Sequence, residues 1–182
     1  MPFDCIIPIG ATCNISFLLR NSKLNKETTL FEWFVSNRLN NITNVLVNLE
    51  SDIVISNNKG VCMIDNNIYT DHYTYLQYQD IFIRRRDRLL KSLRSNQKIL
   101  FFRFESGSNT YTEADIDDFV AAVKSIHPEC QFKLLLITPN KNLPNHPLLI
   151  REFYDKHAED PFCTGEINTF FRYILQKHEF IC

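Results

Sequence analysis

KILFFRF at residues 98–104 and QFKLLLI at residues 131–137 decide the fold. Both are apolar runs of strand length, rich enough in apolar side chains on both faces to be buried strands. Between them Thr112-x-x-Asp115 has the form of a capping box, and Phe119, Val120, Val123 and Ile126 recur at helical spacing until Pro128 stops the pattern. A strand, one helix over 112–126 and a second strand make a βαβ unit. The two strands are therefore expected side by side and parallel.

Outward from that unit, DCIIPI at residues 4–9 is another buried strand, weakened by Pro8, which lacks a ladder donor. Gly10 ends it. Thr12 can cap a helix opening at Cys13, with Ile15, Leu18 and Leu19 on the apolar face. Residues 27–50 predict two short helices, around Trp33 and around Val45, separated at Asn40-Asn41. VCMI and IYT, either side of Asp65-Asn66-Asn67, predict a hairpin over residues 60–70. Residues 75–95 carry the longest helical pattern. Leu76, Ile83 and Leu90 recur every seven residues with Leu89 and Leu93 beside them, which predicts that this stripe faces the core. Arg84, Arg85, Arg86 and Arg88 fall off the stripe and are expected on a solvated face paired with Asp80 and Asp87. Residues 148–157 and 166–177 predict closing helices. The pattern is α/β: one three-layer domain over residues 1–182, a mainly parallel sheet flanked by helices, plus a small β-hairpin.

The 182 residues suit one domain, with an apolar fraction of 45% and a charged fraction of 23%. A net charge of -1 from 20 basic and 21 acidic residues argues against nucleic-acid or membrane-surface partners. The six cysteines, Cys5, Cys13, Cys62, Cys130, Cys163 and Cys182, are widely and irregularly spaced, with no C-x-x-C pair. That spacing, with no signal-peptide pattern in MPFDCIIPIG and no long apolar run, predicts a reducing, cytoplasmic compartment. The sequons at Asn14 and Asn41 would then be chance. No cofactor is called for. His127-x-x-Cys130 with His178-x-x-x-Cys182 is the one pairing that resembles a zinc pattern, and it fits poorly, so no metal is expected.

The chemistry centres on Pro8-Ile9-Gly10-Ala11-Thr12-Cys13, a strand end, a glycine turn and a helix start that places a cysteine. Unpaired N–H groups and the partial positive charge of a helix N-terminus favour a thiolate. A free cysteine is only about 3% ionised at pH 7, and a helix end alone rarely closes the gap, so a cationic partner is needed. The alternative is that Cys13 packs as a small apolar side chain, as Cys5 in its strand, Cys62 and Cys130 are expected to do. Among the histidines, His72 stands out, in a turn-like stretch beside Asp71 and before the long helix. His127 suits a helix end, His146 lies in a proline-bracketed loop, and His157 and His178 read as solvated. Asp71 could orient the His72 ring, although neighbouring side chains usually point apart. The N–H groups of the Gly10–Thr12 turn could form an oxyanion hole. Arg103, at the carboxyl end of its strand where open α/β sheets bind ligands, could bind an anionic group or stabilise an oxyanion; a pair with Glu105 is the equal alternative. Thr138 and Asn140 lie past the next strand. Trp33, with Phe31 and Phe34, suits the core better than a substrate platform.

Taken in order, Pro8 to Cys13, Leu18-Leu19-Arg20, Leu30-Phe31-Glu32-Trp33, Asp71-His72, Arg85, Arg88 and Phe101-Phe102-Arg103 resemble a family of bacterial and large-DNA-virus proteins labelled papain-like cysteine peptidases. The resemblance covers most of the chain. It implies Cys13 as nucleophile, His72 as base and a peptide or acylated substrate. The family more typically has Asp where Glu32 stands. The label also implies a helix packed on an antiparallel, barrel-like sheet, against the parallel pair read from the residues. Three functions remain open: a thiol hydrolase such as a peptidase, a non-peptide acyl- or glycan-modifying thiol enzyme, and a non-catalytic interaction module.

Overall fold

The structure, a computed structural model, describes residues 3–11, 14–24, 27–51, 53–105, 109–154 and 165–179. Its elements in order are β1 (Cys5–Pro8), α1 (Asn14–Asn21), α2 (Leu39–Val47), β2 (Ile55–Asn58), β3 (Val61–Ile64), β4 (Ile68–Thr70), α3 (Tyr75–Leu93), β5 (Lys98–Phe104), α4 (Glu113–Ile126), β6 (Gln131–Thr138), β7 (Leu149–Phe153) and α5 (Gly165–Lys177). A four-stranded sheet has the order β1-β5-β6-β7, every pair parallel, and β2-β3-β4 form a separate antiparallel sheet. The expected β5–α4–β6 unit is present, with Phe101 in register with Leu134. A parallel main sheet is not the antiparallel barrel that the papain-like label implies.

Alternation along the central strands sorts the core into two layers. Ile99 and Phe101 of β5 and Phe132, Leu134 and Leu136 of β6 pack with the inner faces of α2, α3 and α4. Leu100, Phe102 and Phe104, with Leu135 and Ile137, face α1 and α5 on the other side. Phe101 meets Phe119 of α4 edge-on at 5.1 Å and Phe132 at 5.7 Å. Such pairs add about 0.5–1.5 kcal/mol each beyond burial. Pro8 is tolerated because β1 is an edge strand, bonded only to β5.

The hairpin forms as expected and gains a third strand, β2. Its turns are built by left-handed residues: Lys59 and Gly60 join β2 to β3, and Asp65 and Asn66 join β3 to β4. Two consecutive positive φ values give turns whose twist matches the flanking strands. Cys62, Ile64 and Ile68 point from this sheet into the same core as α3.

Four expectations are corrected. No helix forms around Trp33; residues 30–33 are a turn. Asn40-Asn41 is no break but the start of α2, where the Asn41 side chain accepts the Arg38 N–H at 2.9 Å and so caps the helix start. Residues 149–153 are strand β7 rather than a helix, because β6 offers a paired edge that local periodicity cannot reveal; residues 155–157 of that expectation lie outside the described residues. Lastly, the inward stripe of α3 is Tyr78, Phe82, Arg85, Leu89 and Leu93. Leu76 and Ile83 are 72% and 58% exposed. Tyr78 and Phe82 out-compete the leucine heptad because their larger apolar area gains more from burial. Arg85, expected outside, is carried in with them. Its guanidinium lies 4.8 Å from the Tyr73 ring centre and donates to the Tyr73 hydroxyl at 2.7 Å. Among its neighbours, Arg86 pairs with Asp87, and Arg88 faces Glu27 and donates to the Thr28 carbonyl.

Candidate active site

The segment from Thr29 to Ser36 organises the carboxyl edge beside β1. Glu32 is fully buried, and its Oε1 accepts the Thr29 N–H at 2.7 Å, so the carboxylate closes its own turn. The Glu32 carbonyl accepts from Arg85 Nη1 at 3.4 Å. Trp33 follows with φ +68°, a left-handed conformation that a bulky side chain rarely adopts. Its N–H donates to Ser16 Oγ in the first turn of α1 at 3.2 Å. Two residues on, Val35 exchanges backbone hydrogen bonds with Tyr69 of β4, at 2.7 and 3.1 Å. Ser36 then donates its hydroxyl to the Gly10 carbonyl at 3.0 Å and its N–H to the Ala11 carbonyl at 3.4 Å. One short segment thus holds the turn after β1, the first turn of α1 and the strand that leads to His72.

Arg103 sits beneath that segment with no exposed surface. Its Nε donates to Glu105 Oε1 at 2.6 Å and to the Tyr111 hydroxyl at 3.2 Å. Nη1 donates to the Ile9 carbonyl and Ser36 Oγ, and Nη2 to the Ser36 carbonyl. Tyr111 in turn donates to Glu105 Oε1, and Asn109 Nδ2 to Glu105 Oε2 at 3.0 Å. Burial pulls the Arg103 pKa down from its usual value, and the Glu105 carboxylate works against that shift. The guanidinium aims at protein acceptors, so Arg103 holds the Gly10 turn in place rather than presenting donors to an oxyanion. The Glu105 alternative read from sequence is the geometry found. Thr138 and Asn140 extend the network: Thr138 Oγ1 accepts the Asn140 N–H, and Asn140 Nδ2 donates to the Asn109 carbonyl.

His72 lies just past β4. Its backbone N–H donates to Thr70 Oγ1 at 3.1 Å, an ST-type turn that fixes the chain direction. The imidazole meets the Trp33 ring edge-to-face, with centroids 5.2 Å apart and an interplanar angle of 67°. Arg20, in the last turn of α1, places its guanidinium 5.1 Å from the same indole and donates to Thr28 Oγ1 at 2.9 Å. The His72 side chain is 41% exposed, open enough to meet a substrate. Asp71 Oδ1 stands 3.9 Å from His72 Nε2, beyond hydrogen-bonding reach, on a side chain that is 86% exposed. Thr12 and Cys13 lie outside the described residues, as do Cys163, Cys182 and His157.

Cys62 and Cys130 are fully buried, and burial raises both thiols above their usual pKa, which keeps them protonated and unreactive. Cys5 is only half-buried, packed against the core from the sheet edge. His146 accepts the Leu148 N–H at Nδ1 and faces Asp117 at 3.3 Å, tying the β6–β7 connection to α4. The N–H of His127 caps α4 on the Val123 carbonyl. His178, expected in solvent, meets Glu152 of β7. Among the described residues no group of three or more His, Cys, Asp or Glu could hold a metal ion, and no helix is long and apolar enough to cross a membrane. Sequence inspection missed Ser36, Tyr111 and Asn109. None belongs to a motif, and only the three-dimensional network around a buried arginine reveals them.

No family model matches the chain, and no solved structure matches it. It is similar to a curated viral protein, "Uncharacterized protein R408" of Acanthamoeba polyphaga mimivirus, at 23% identity over 156 residues, covering 66% of this chain and 70% of that protein.

Proposed function

We propose that the protein is a thiol hydrolase that uses Cys13 as nucleophile and His72 as general base, on a peptide or acylated substrate, in a reducing cytoplasmic compartment. The observation that supports this most is the Trp33–Ser36 segment. Ser36 binds the Gly10 carbonyl, three positions before Cys13, and Val35 pairs with Tyr69, three positions before His72. Gly10 and Tyr69, each three positions before one member of the proposed pair, are thereby bonded to one short stretch of backbone. In the proposed cycle the Cys13 thiol gives its proton to the His72 imidazole and its sulfur attacks the substrate carbonyl. The imidazolium protonates the leaving group as the acyl bond to it breaks. Water, deprotonated by His72, then hydrolyses the thioester and restores the thiol. N–H groups of the turn after Gly10 would receive the developing oxyanion.

Alkylation by iodoacetamide, mapped by mass spectrometry, tests the nucleophile. Cys13 should label well ahead of Cys182, with a rate midpoint below the usual thiol pKa of about 8.5, and His72→Ala should remove that advantage. Equal rates at Cys13 and Cys182 would overturn the assignment. Peptide and acyl-ester libraries, run against Cys13→Ala as control, then separate a peptidase from an enzyme acting on other acyl groups.

A further inference from the structure

We propose that Trp33 is the positioning residue that orients the His72 imidazole; this rests on the reading of His72 as base. A base must be held within a narrow range of directions to take a proton. Asp71 cannot do this from 3.9 Å on an exposed side chain. The His72 ring instead meets Trp33, whose indole receives it at 5.2 Å and 67°. The backbone beneath that indole is strained. A left-handed φ of +68° strains a bulky residue and persists only where its surroundings over-determine it.

The surroundings here do so. Ser16 Oγ accepts the Trp33 N–H, the preceding Glu32 carbonyl is held by Arg85, and the Glu32 carboxylate closes the turn on Thr29. Val35, two residues later, is locked to β4. A right-handed Trp33 would redirect the side chain away from His72 and break the Ser16 bond. In this conformation Trp33 is only half-buried, and its ring is set against the His72 imidazole. Arg20, on the indole as well, fixes the ring plane from the α1 side. Trp33 thus joins the helix that Cys13 precedes to the imidazole that would serve Cys13.

The experiment compares wild type with Trp33→Leu, Trp33→Phe and His72→Ala, all first shown to be folded by near-ultraviolet circular dichroism. Two readouts are taken: the ring-current shift of the His72 carbon-bound protons by NMR, and the pH profile of Cys13 alkylation. Trp33→Leu is expected to abolish the ring-current shift and to slow alkylation at neutral pH by about tenfold or more, as His72→Ala does. Trp33→Phe, which keeps an aromatic face, should retain most of both. An unchanged His72 shift in Trp33→Leu, or a wild-type profile there while His72→Ala is slow, would overturn the positioning role alone. A wild-type profile in His72→Ala would overturn the base reading itself, and the role of Trp33 with it.

Discussion

Arg103 and Glu105 form an enclosed ion pair, Nε to Oε1 at 2.6 Å, directly under the turn that follows β1. Removing one partner from such a pair strands the other charge in a low-dielectric interior. Arg103→Met is expected to cost about 3–5 kcal/mol in urea unfolding. Arg103→Met with Glu105→Leu should cost less than the two single changes added together, because the stranded charge is gone. A single-variant loss under about 1 kcal/mol would mean that water reaches Glu105 readily.

Thr112 and Asp115 cap α4 reciprocally, the Asp115 N–H donating to Thr112 Oγ1 and the Thr112 N–H to Asp115 Oδ2. Partial burial pushes the Asp115 pKa up, but hydrogen bonds from Thr112 and Asn40 and the charge of Arg38 outweigh it, so the net direction is down. A depressed carboxyl stabilises the fold above its unfolded pKa of about 3.9 and loses that contribution as pH falls through the folded value. Acid titration of stability should therefore be flatter in Asp115→Asn than in wild type. Thr112→Ala should cost about 1 kcal/mol at neutral pH.

Phe119 fills the space between α4 and the centre of the sheet, in edge contact with Phe101 and Phe132. Phe119→Ala should lose about 3–5 kcal/mol, while Phe119→Leu should lose distinctly less, since it leaves a smaller cavity. Thermal unfolding followed by circular dichroism would rank the two; equal losses would mean that aromatic edge contacts, not volume, dominate there.

Cys62 and Cys130 should resist alkylation in the native protein and react together when it unfolds. Burial both hides them and holds them as thiols. Pulsed labelling across a urea gradient, read by mass spectrometry, should give them one common midpoint. Separate midpoints would show that the β2–β4 sheet, which carries Cys62, opens independently of the four-stranded sheet, where Cys130 immediately precedes β6.

The central strands and α4 were legible because their signals are local: KILFFRF and QFKLLLI are apolar throughout, and Thr112-x-x-Asp115 announces the helix between them. β7 was not, since Leu149–Phe153 becomes a strand only by pairing with β6. Nor was the inward face of α3 legible, where a heptad of Leu76, Ile83 and Leu90 suggested one stripe and the aromatic residues of the hairpin side selected another. At the candidate site, position in the sequence singled out His72, which the structure sets against Trp33, and Arg103, which it sets in a buried network rather than at an oxyanion. The Trp33 turn was mistaken for a helix because nothing in Leu30-Phe31-Glu32-Trp33 signals a left-handed residue: the usual markers, Gly and Asn, are absent.

Pro8 has a bearing on how this protein behaves in company. An exposed edge strand is a template on which another chain can hydrogen-bond, and sheets that grow this way end as aggregates. Ile9 donates inward to Phe102, so along the alternating ladder the Pro8 position faces the open side of β1, where an incoming strand would find no donor. At the opposite rim β7 presents exposed Arg151 at its centre, and its charge would have to be desolvated for a strand to dock. Both rims of the four-stranded sheet therefore carry residues that discourage its extension.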